Sequence, residues 1–159
     1  MKPAITFFHP TFQTMIVFGL LVSCSIKPAK IYYGTDGCQF CKMTIVDRQH
    51  AAQLITDKGK AYKFDAIECM VNRLHSMENS SIGMVLVNDF EQPGLLINAK
   101  SATYLVSNQI PSPMGAFLSA FGTKAKAIVA SREKSGQLYS WEELMHQFNQ
   151  PENASKPDM

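Results

Sequence analysis

Apolar positions along the chain fall into short runs separated by turn-forming residues, and only one run is long. Ala51 to Thr56 and Ala61 to Phe64 flank Asp57-Lys58-Gly59, a pattern that predicts a β-hairpin. A helix is predicted next, with Asp65 as N-cap, Glu68 completing a capping box, and Ile67, Met70, Val71 and Leu74 at helical spacing. After the polar stretch Ser76 to Gly83, Met84 to Val87 and Leu95 to Ile97 are predicted strands. Ala116 to Phe121 is apolar, helix-compatible and stopped by Gly122. Ala127 to Ala130 and Gln137 to Tyr139 then read as strands around Ser135-Gly136. A second capping box, Ser140 with Glu143, opens a helix with Trp141, Leu144, Met145 and Phe148 on one face.

Strand, turn, strand and helix thus recur in the same order. The predicted fold is α+β, with two related small β-β-α(-β) units and mainly antiparallel sheet. The units are placed at about residues 36–83 and 84–150 of one domain, followed by a flexible tail at 151–159. Met43 lies 22 residues before Asp65 and Met114 lies 26 before Ser140, so the two methionines enter their predicted units at comparable places. Units packed about a pseudo-two-fold would bring both sulfurs to one site.

Charge narrows the class of partner. With 15 Lys+Arg against 13 Asp+Glu, and 18% charged against 46% hydrophobic residues, the 159-residue chain is neither a disordered polyampholyte nor a basic nucleic-acid binder. A single globular domain is expected, as a monomer with no nucleic-acid partner. The long apolar run, Met15 to Val22, has the length of a signal-peptide core and is too short to be a comfortable membrane span. It ends in Leu21-Val22-Ser23-Cys24, which resembles a bacterial lipobox. Residues 1–23 are therefore predicted to be a lipoprotein signal peptide, Cys24 the lipidated residue, and 24–35 a short tether.

Three cysteines remain, Cys38, Cys41 and Cys69, an odd number for an exported protein held together by disulfides. At least one thiol is then free or metal-bound. Cys38-Gln39-Phe40-Cys41 alone fits a redox dithiol, half of a zinc site or a soft-metal site. The thioredoxin-like reading expects the pair to open a helix, whereas glycine-rich residues precede it and β-branched residues follow. A zinc site would recruit Cys69 and His75 to make a Cys₃His set. Sulfur of a second kind favours Cu(I). Met43 follows Cys41 by two residues, Met70 adjoins Cys69, and Met114 sits in a Pro-Met-Gly turn. Thiolate with thioether suits Cu(I), a soft ion content with two or three ligands. Met77, Met84 and Met145 read as core filler, His50 as a strand-edge residue and His146 as a helix-face residue. Without a catalytic triad, phosphate loop or paired-carboxylate motif, no enzymatic activity is expected.

The stretch Asp36 to Ile45, then Phe64-Asp65-Ala66-Ile67-Glu68-Cys69, Asn98 to Tyr104, and Ser112-Pro113-Met114-Gly115-Ala116-Phe117 with Ala120-Phe121, resemble in that order the nitrous-oxide reductase accessory lipoproteins of the NosL family. The resemblance runs from about Asp36 to Phe148. It implies two related β-β-α-β units in a periplasm-facing, membrane-anchored lipoprotein. Its partner would be nitrous-oxide reductase or the membrane complex that matures it, to which it delivers Cu(I). The family motifs fall on Cys38, Cys41, Met43 and Met114, and Cys69 matches a more variable position. Lys42 departs from the pattern, since many members carry glycine there. The resulting expectation is a thiolate from Cys38 or Cys41, with Met43 and Met114 as neutral sulfur ligands and Asp36 and Lys42 as neighbouring loop charges.

Overall fold

The structure, a computed structural model, describes residues 26–77 and 81–148. The predicted signal peptide, Cys24 and the tail at 151–159 lie outside the described residues. Among the described residues no helix is long and apolar enough to cross a membrane.

The first sheet is antiparallel, in the order β2 (Ala61–Phe64), β1 (Ala52–Thr56), β3 (Ile82–Asp89), β4 (Gln92–Asn98). Register explains its core. Ala52 stands opposite Phe64 and Val87, and Leu54 opposite Tyr62 and Val85, so these side chains share one face. They join one buried cluster with Ile67, Met70 and Val71 of helix α1 (Ile67–Ser76). The opposite face of β1 carries Gln53, which is fully buried. Its amide donates to the carbonyl of Ala29 (2.8 Å) and accepts from the Ala29 N–H (2.9 Å), so the chain before residue 34 lies against the sheet. From Ile26 onward the predicted tether is therefore part of the folded domain.

After a short 3₁₀ turn (Ala99–Ser101), the second sheet has the order β6 (Leu118–Phe121), β5 (Thr103–Val106), β7 (Gln137–Tyr139). Helix α2 (Lys124–Lys134) joins β6 to β7, and α3 (Trp141–Phe148) ends the domain. Tyr104, Leu118, Ala120 and Leu144 complete the cluster shared with α1, while Leu105, Phe121, Ile110 and Ala127 form a second cluster on the α2 side. The buried Tyr104 hydroxyl donates to the Ala99 carbonyl at 2.7 Å, so burial leaves no orphan donor there.

In each sheet the first strand of the unit is central and pairs antiparallel with the second and the last: β2-β1-β3 repeats as β6-β5-β7, each with a helix between the outer two. The α+β class and the ββαβ repeat stand, but the second copy is placed differently from the prediction. Ala127 to Ala130 lies within α2, whose Thr123 side chain caps the Lys126 N–H. Leu118 to Phe121 is a strand, buried along its whole length. A four-residue apolar run is equally compatible with buried strand and buried helix, and here sheet pairing decides. The two sheets meet at Ala99–Ala102, not near residue 83, because β3 and β4 belong to the first. Met43 and Met114 are consequently not equivalent: one precedes β1 and the other lies between β5 and β6.

The two capping boxes also part ways. Ser140 and Glu143 exchange the reciprocal bonds, Ser140 N–H to the Glu143 carboxylate at 2.7 Å and Glu143 N–H to the Ser140 hydroxyl at 3.3 Å. At α1 the N-cap is Ala66, with no side-chain cap. Asp65 instead accepts from the Val46 N–H, and Glu68 turns toward Ser112.

Candidate metal centre

The segment before β1 forms a small closed loop. Gly37 and Thr44 make an isolated antiparallel bridge, the Cys38 N–H donates to the Met43 carbonyl (2.8 Å), and the Lys42 N–H returns to the Cys38 carbonyl (3.1 Å). Closing so short a loop needs a left-handed residue, and Lys42 supplies it at φ 68°. Glycine occupies such a position without strain, which accounts physically for the glycine in the family pattern here. Two ties fix the loop to the sheet. The Gln39 N–H donates to the Lys63 carbonyl at 2.9 Å, and Asp36 accepts from Lys63 Nζ and from the Tyr32 N–H, both at 2.7 Å. Lys42 itself reaches back to the Gln39 carbonyl. The CxxC pair therefore sits on a turn and does not open a helix.

The third thiol arrives from the first turn of α1, where Cys69 faces the loop. The Sγ atoms of Cys38, Cys41 and Cys69 lie within 4.8 Å of one another. Metal–thiolate bonds of about 2.3 Å allow two sulfurs to share an ion at up to about 4.6 Å, so sub-ångström adjustment closes this set round a single ion. Cys69, a variable position in the sequence pattern, is a full member of the group. His75 is not, because it follows Cys69 by six residues along a helix, a rise of about 9 Å. The Cys₃His expectation fails on that geometry.

Protonation is shared unequally. The Cys69 thiol donates to Cys38 and, despite burial, holds it far below the ordinary thiol range at about 4, helped by the main-chain N–H groups of Asp65, Phe40 and Cys41. The same hydrogen bond, together with burial and the charge on Cys38, pushes Cys69 strongly up. Burial also raises Cys41, and the Cys38 charge adds to this. Hydrogen bonding thus favours Cys38 as the first of the three thiols to ionise.

Exposure is graded across the sulfurs. Cys38 and Cys69 are each 1% exposed and Cys41 is intermediate, whereas Met43 is 54% and Met114 42% exposed. Met43 belongs to the CxxC loop, and its N–H donates to the Cys41 sulfur. Met114 rides on a turn closed by the Gly115 N–H to the Ser112 carbonyl, with Gly115 at φ 78°. That turn hangs on α1. The Ser112 hydroxyl donates to Glu68 Oε1 at 2.5 Å and accepts from the Phe117 N–H at 2.9 Å, and the Ala116 N–H also reaches Glu68 Oε1 at 3.4 Å.

Beside this region His50, expected at a strand edge, is buried. Its ring bonds Asp47 at 2.8 Å and Ser119 of β6 at 3.2 Å, joining the two sheets. Asp65 and Glu68 are buried carboxyls that desolvation pushes up, Asp65 being raised further by Cys38. His146 is exposed on α3 as expected.

The loop, the α1 cysteine and the Pro-Met-Gly turn lie inside a match to the NosL family model that covers residues 30–148. The chain belongs to the NosL family. The crystal structure of the copper chaperone NosL from Shewanella denitrificans has the same fold, with a TM-score of 0.66 at 22% identity, covering 75% of this chain and 96% of that one. No curated protein matches. For this NosL-family chain, the family and the three-thiol group together establish a site suited to a metal ion.

Proposed function

We propose that this NosL-family protein is an exported Cu(I) carrier, anchored through lipidated Cys24, that hands copper to nitrous-oxide reductase or its membrane maturation complex for assembly of the enzyme's copper centres. The observation that carries the reading is the three-thiol group of Cys38, Cys41 and Cys69 with exposed thioethers, Met43 and Met114, on the adjoining loops. Soft sulfur donors suit Cu(I). Only the thiolate form is a ligand, so recruiting Cys41 or Cys69 beside Cys38 displaces a proton from a thiol whose ionisation its surroundings oppose, and loading releases protons.

Graded exposure supports transfer as well as storage. Exchange begins at the exposed thioethers and the half-buried Cys41, while Cys38 and Cys69 hold the ion until a partner's ligand has bound. The copper chaperone from Shewanella denitrificans shares the fold, in keeping with this role. The deciding experiment is an anaerobic Cu(I) competition titration on the reduced full-length protein in detergent, run beside Zn²⁺ and followed by X-ray absorption. One Cu(I) per chain with a sulfur-dominated shell, weakened by Cys69→Ala and by Met114→Ala, is expected. Preferential Zn²⁺ binding, or a shell dominated by nitrogen and oxygen, overturns the reading.

A further inference from the structure

We propose that Glu68 and Ser112 form a positioning latch that holds the Met114 turn against the helix bearing Cys69, so that the thioether is presented to the thiol group before copper arrives. The inference rests on the Cu(I) reading above and deepens it by assigning residues outside the sulfur set.

Glu68 is 3% exposed and immediately precedes Cys69. A carboxyl there gives the helix no cap, and its Oε2 has no hydrogen-bond partner among the described residues. An apolar side chain would fill the space without that desolvation penalty. What the carboxyl does supply is a fixed attachment across 44 positions of sequence, because every bond it makes to another element runs to the Met114 turn. Ser112 is the other half, with its hydroxyl donating to Glu68 while accepting from the Phe117 N–H. Besides the latch, the turn is closed by the Gly115 N–H to the Ser112 carbonyl and its far end is tied by the Ser107 N–H to the Phe117 carbonyl (3.0 Å), and two of its residues, Gly115 (φ 78°) and Phe117 (φ 57°), are left-handed. Phe117 in that region is strained, and such strain persists where surrounding bonds impose it. Met114, 42% exposed, is only partly held by the packing of its own side chain. Its position is set through the backbone, and Glu68 and Ser112 are what tie that backbone to α1. Preorganising a ligand in this way removes the ordering cost from the binding step.

The test is a double-mutant cycle in the full-length protein, read by Cu(I) competition. Ser112→Ala is expected to weaken Cu(I) binding about five-fold, the equivalent of one ordinary hydrogen bond, but less than about two-fold when Met114→Ala is already present. Glu68→Gln, which keeps the acceptor oxygen, is expected to stay within about two-fold of the wild type, while Glu68→Ala follows Ser112→Ala. A metal-free readout accompanies the cycle: amide hydrogen exchange at Ala116 and Phe117 quickens in Ser112→Ala while β1 and α1 keep their protection. Equal weakening by Ser112→Ala with and without Met114, unchanged exchange at Ala116 and Phe117, or Glu68→Gln falling as far as Glu68→Ala, each overturns the latch. Loss of Cu(I) binding on Met114→Ala with no loss on Ser112→Ala also overturns it and leaves the carrier reading intact. If Met114→Ala itself has no effect, the assignment of Met114 as a ligand fails first.

Discussion

The ionisation of Cys38 offers a direct test of how the thiol group is wired. Its low value of about 4 rests first on the hydrogen bond donated by Cys69, with main-chain N–H groups of Asp65, Phe40 and Cys41 beneath it and burial acting against them. Cys69→Ala removes the first contribution and leaves the amides in place. A hydrogen bond to a charged group contributes roughly 1.5–3 kcal/mol, and at 1.36 kcal/mol per pH unit its loss should raise the first thiol ionisation by about 1–2 units. Cys69→Ser, which keeps a donor, should recover most of that shift. Thiolate absorbance against pH, on metal-free reduced protein in a Cys24→Ser background, measures this as the midpoint of the first one-thiolate step. Stability must follow with a definite sign. A group whose ionisation is depressed in the folded state contributes stability above its unfolded value, and that stability fades as pH falls toward its folded value. The stability of wild type over Cys69→Ala should therefore widen as pH rises from about 4 to about 6. Glu68 remains in both proteins and largely cancels, whereas Asp65, which the Cys38 charge helps to raise, titrates with Cys38, so the widening belongs to that pair. A first midpoint unchanged by Cys69→Ala would refute the hydrogen-bonded arrangement of the two buried thiols.

Three further outcomes follow from particular contacts. Lys42→Gly relieves a left-handed backbone that costs about 1–2 kcal/mol in L-residues, against an added chain entropy of about 0.5–1 kcal/mol. A net gain of roughly 0.5 kcal/mol should therefore appear as a higher urea midpoint with an unchanged slope. Gln53→Leu strands the Ala29 N–H and carbonyl on the sheet face, so about 2 kcal/mol should be lost and protease cleavage between residues 26 and 33 should quicken; unaltered cleavage would show that the segment is held by other contacts. His75→Ala should leave metal affinity and stoichiometry within about two-fold of wild type, and a larger loss in a zinc titration would restore the Cys₃His set.

Local chemistry in the sequence was legible wherever neighbours in the chain decide the outcome. The first hairpin, the helix through Met70 and Val71, and the Ser140 capping box depend on turn residues and spacing within a few positions. The CxxC loop was legible as a soft-metal candidate because its sulfurs are close in sequence. The second copy of the repeat was misplaced because Ile128-Val129 carries β-branched residues inside a helix whose alanines and capping Thr123 prevail, and because Leu118 to Phe121 is too short for periodicity to separate strand from helix. Glu68 and Asp65 mimic capping residues in sequence, yet their partners, Ser112 and Val46, lie 44 and 19 residues away. No spacing rule signals such a contact. His50 was likewise missed, since its meaning depends on Ser119 in the other sheet.

The Ala29–Gln53 clasp sets the geometry of the leash. Only four residues separate Cys24 from Ala29, so an anchor at Cys24 leaves at most about 18 Å of extended chain before the clasp, and about 7 Å before Ile26, where the folded chain begins. The chain approaches that clasp beside the β1–β2 turn, where Ile26 lies near Gly83 and Asp57. The thiol group is at the other end of the same sheet, where β2 runs out into Asp65, about 16 Å away along the strand. A lipid at Cys24, as proposed, would attach two residues before Ile26, on the turn side of the sheet, while the clasp at Gln53 holds the following chain nearer the sulfurs. On the proposed role, a carrier so anchored would not roam on a long flexible arm, and a recipient would meet the sulfurs within a limited range of heights above the membrane.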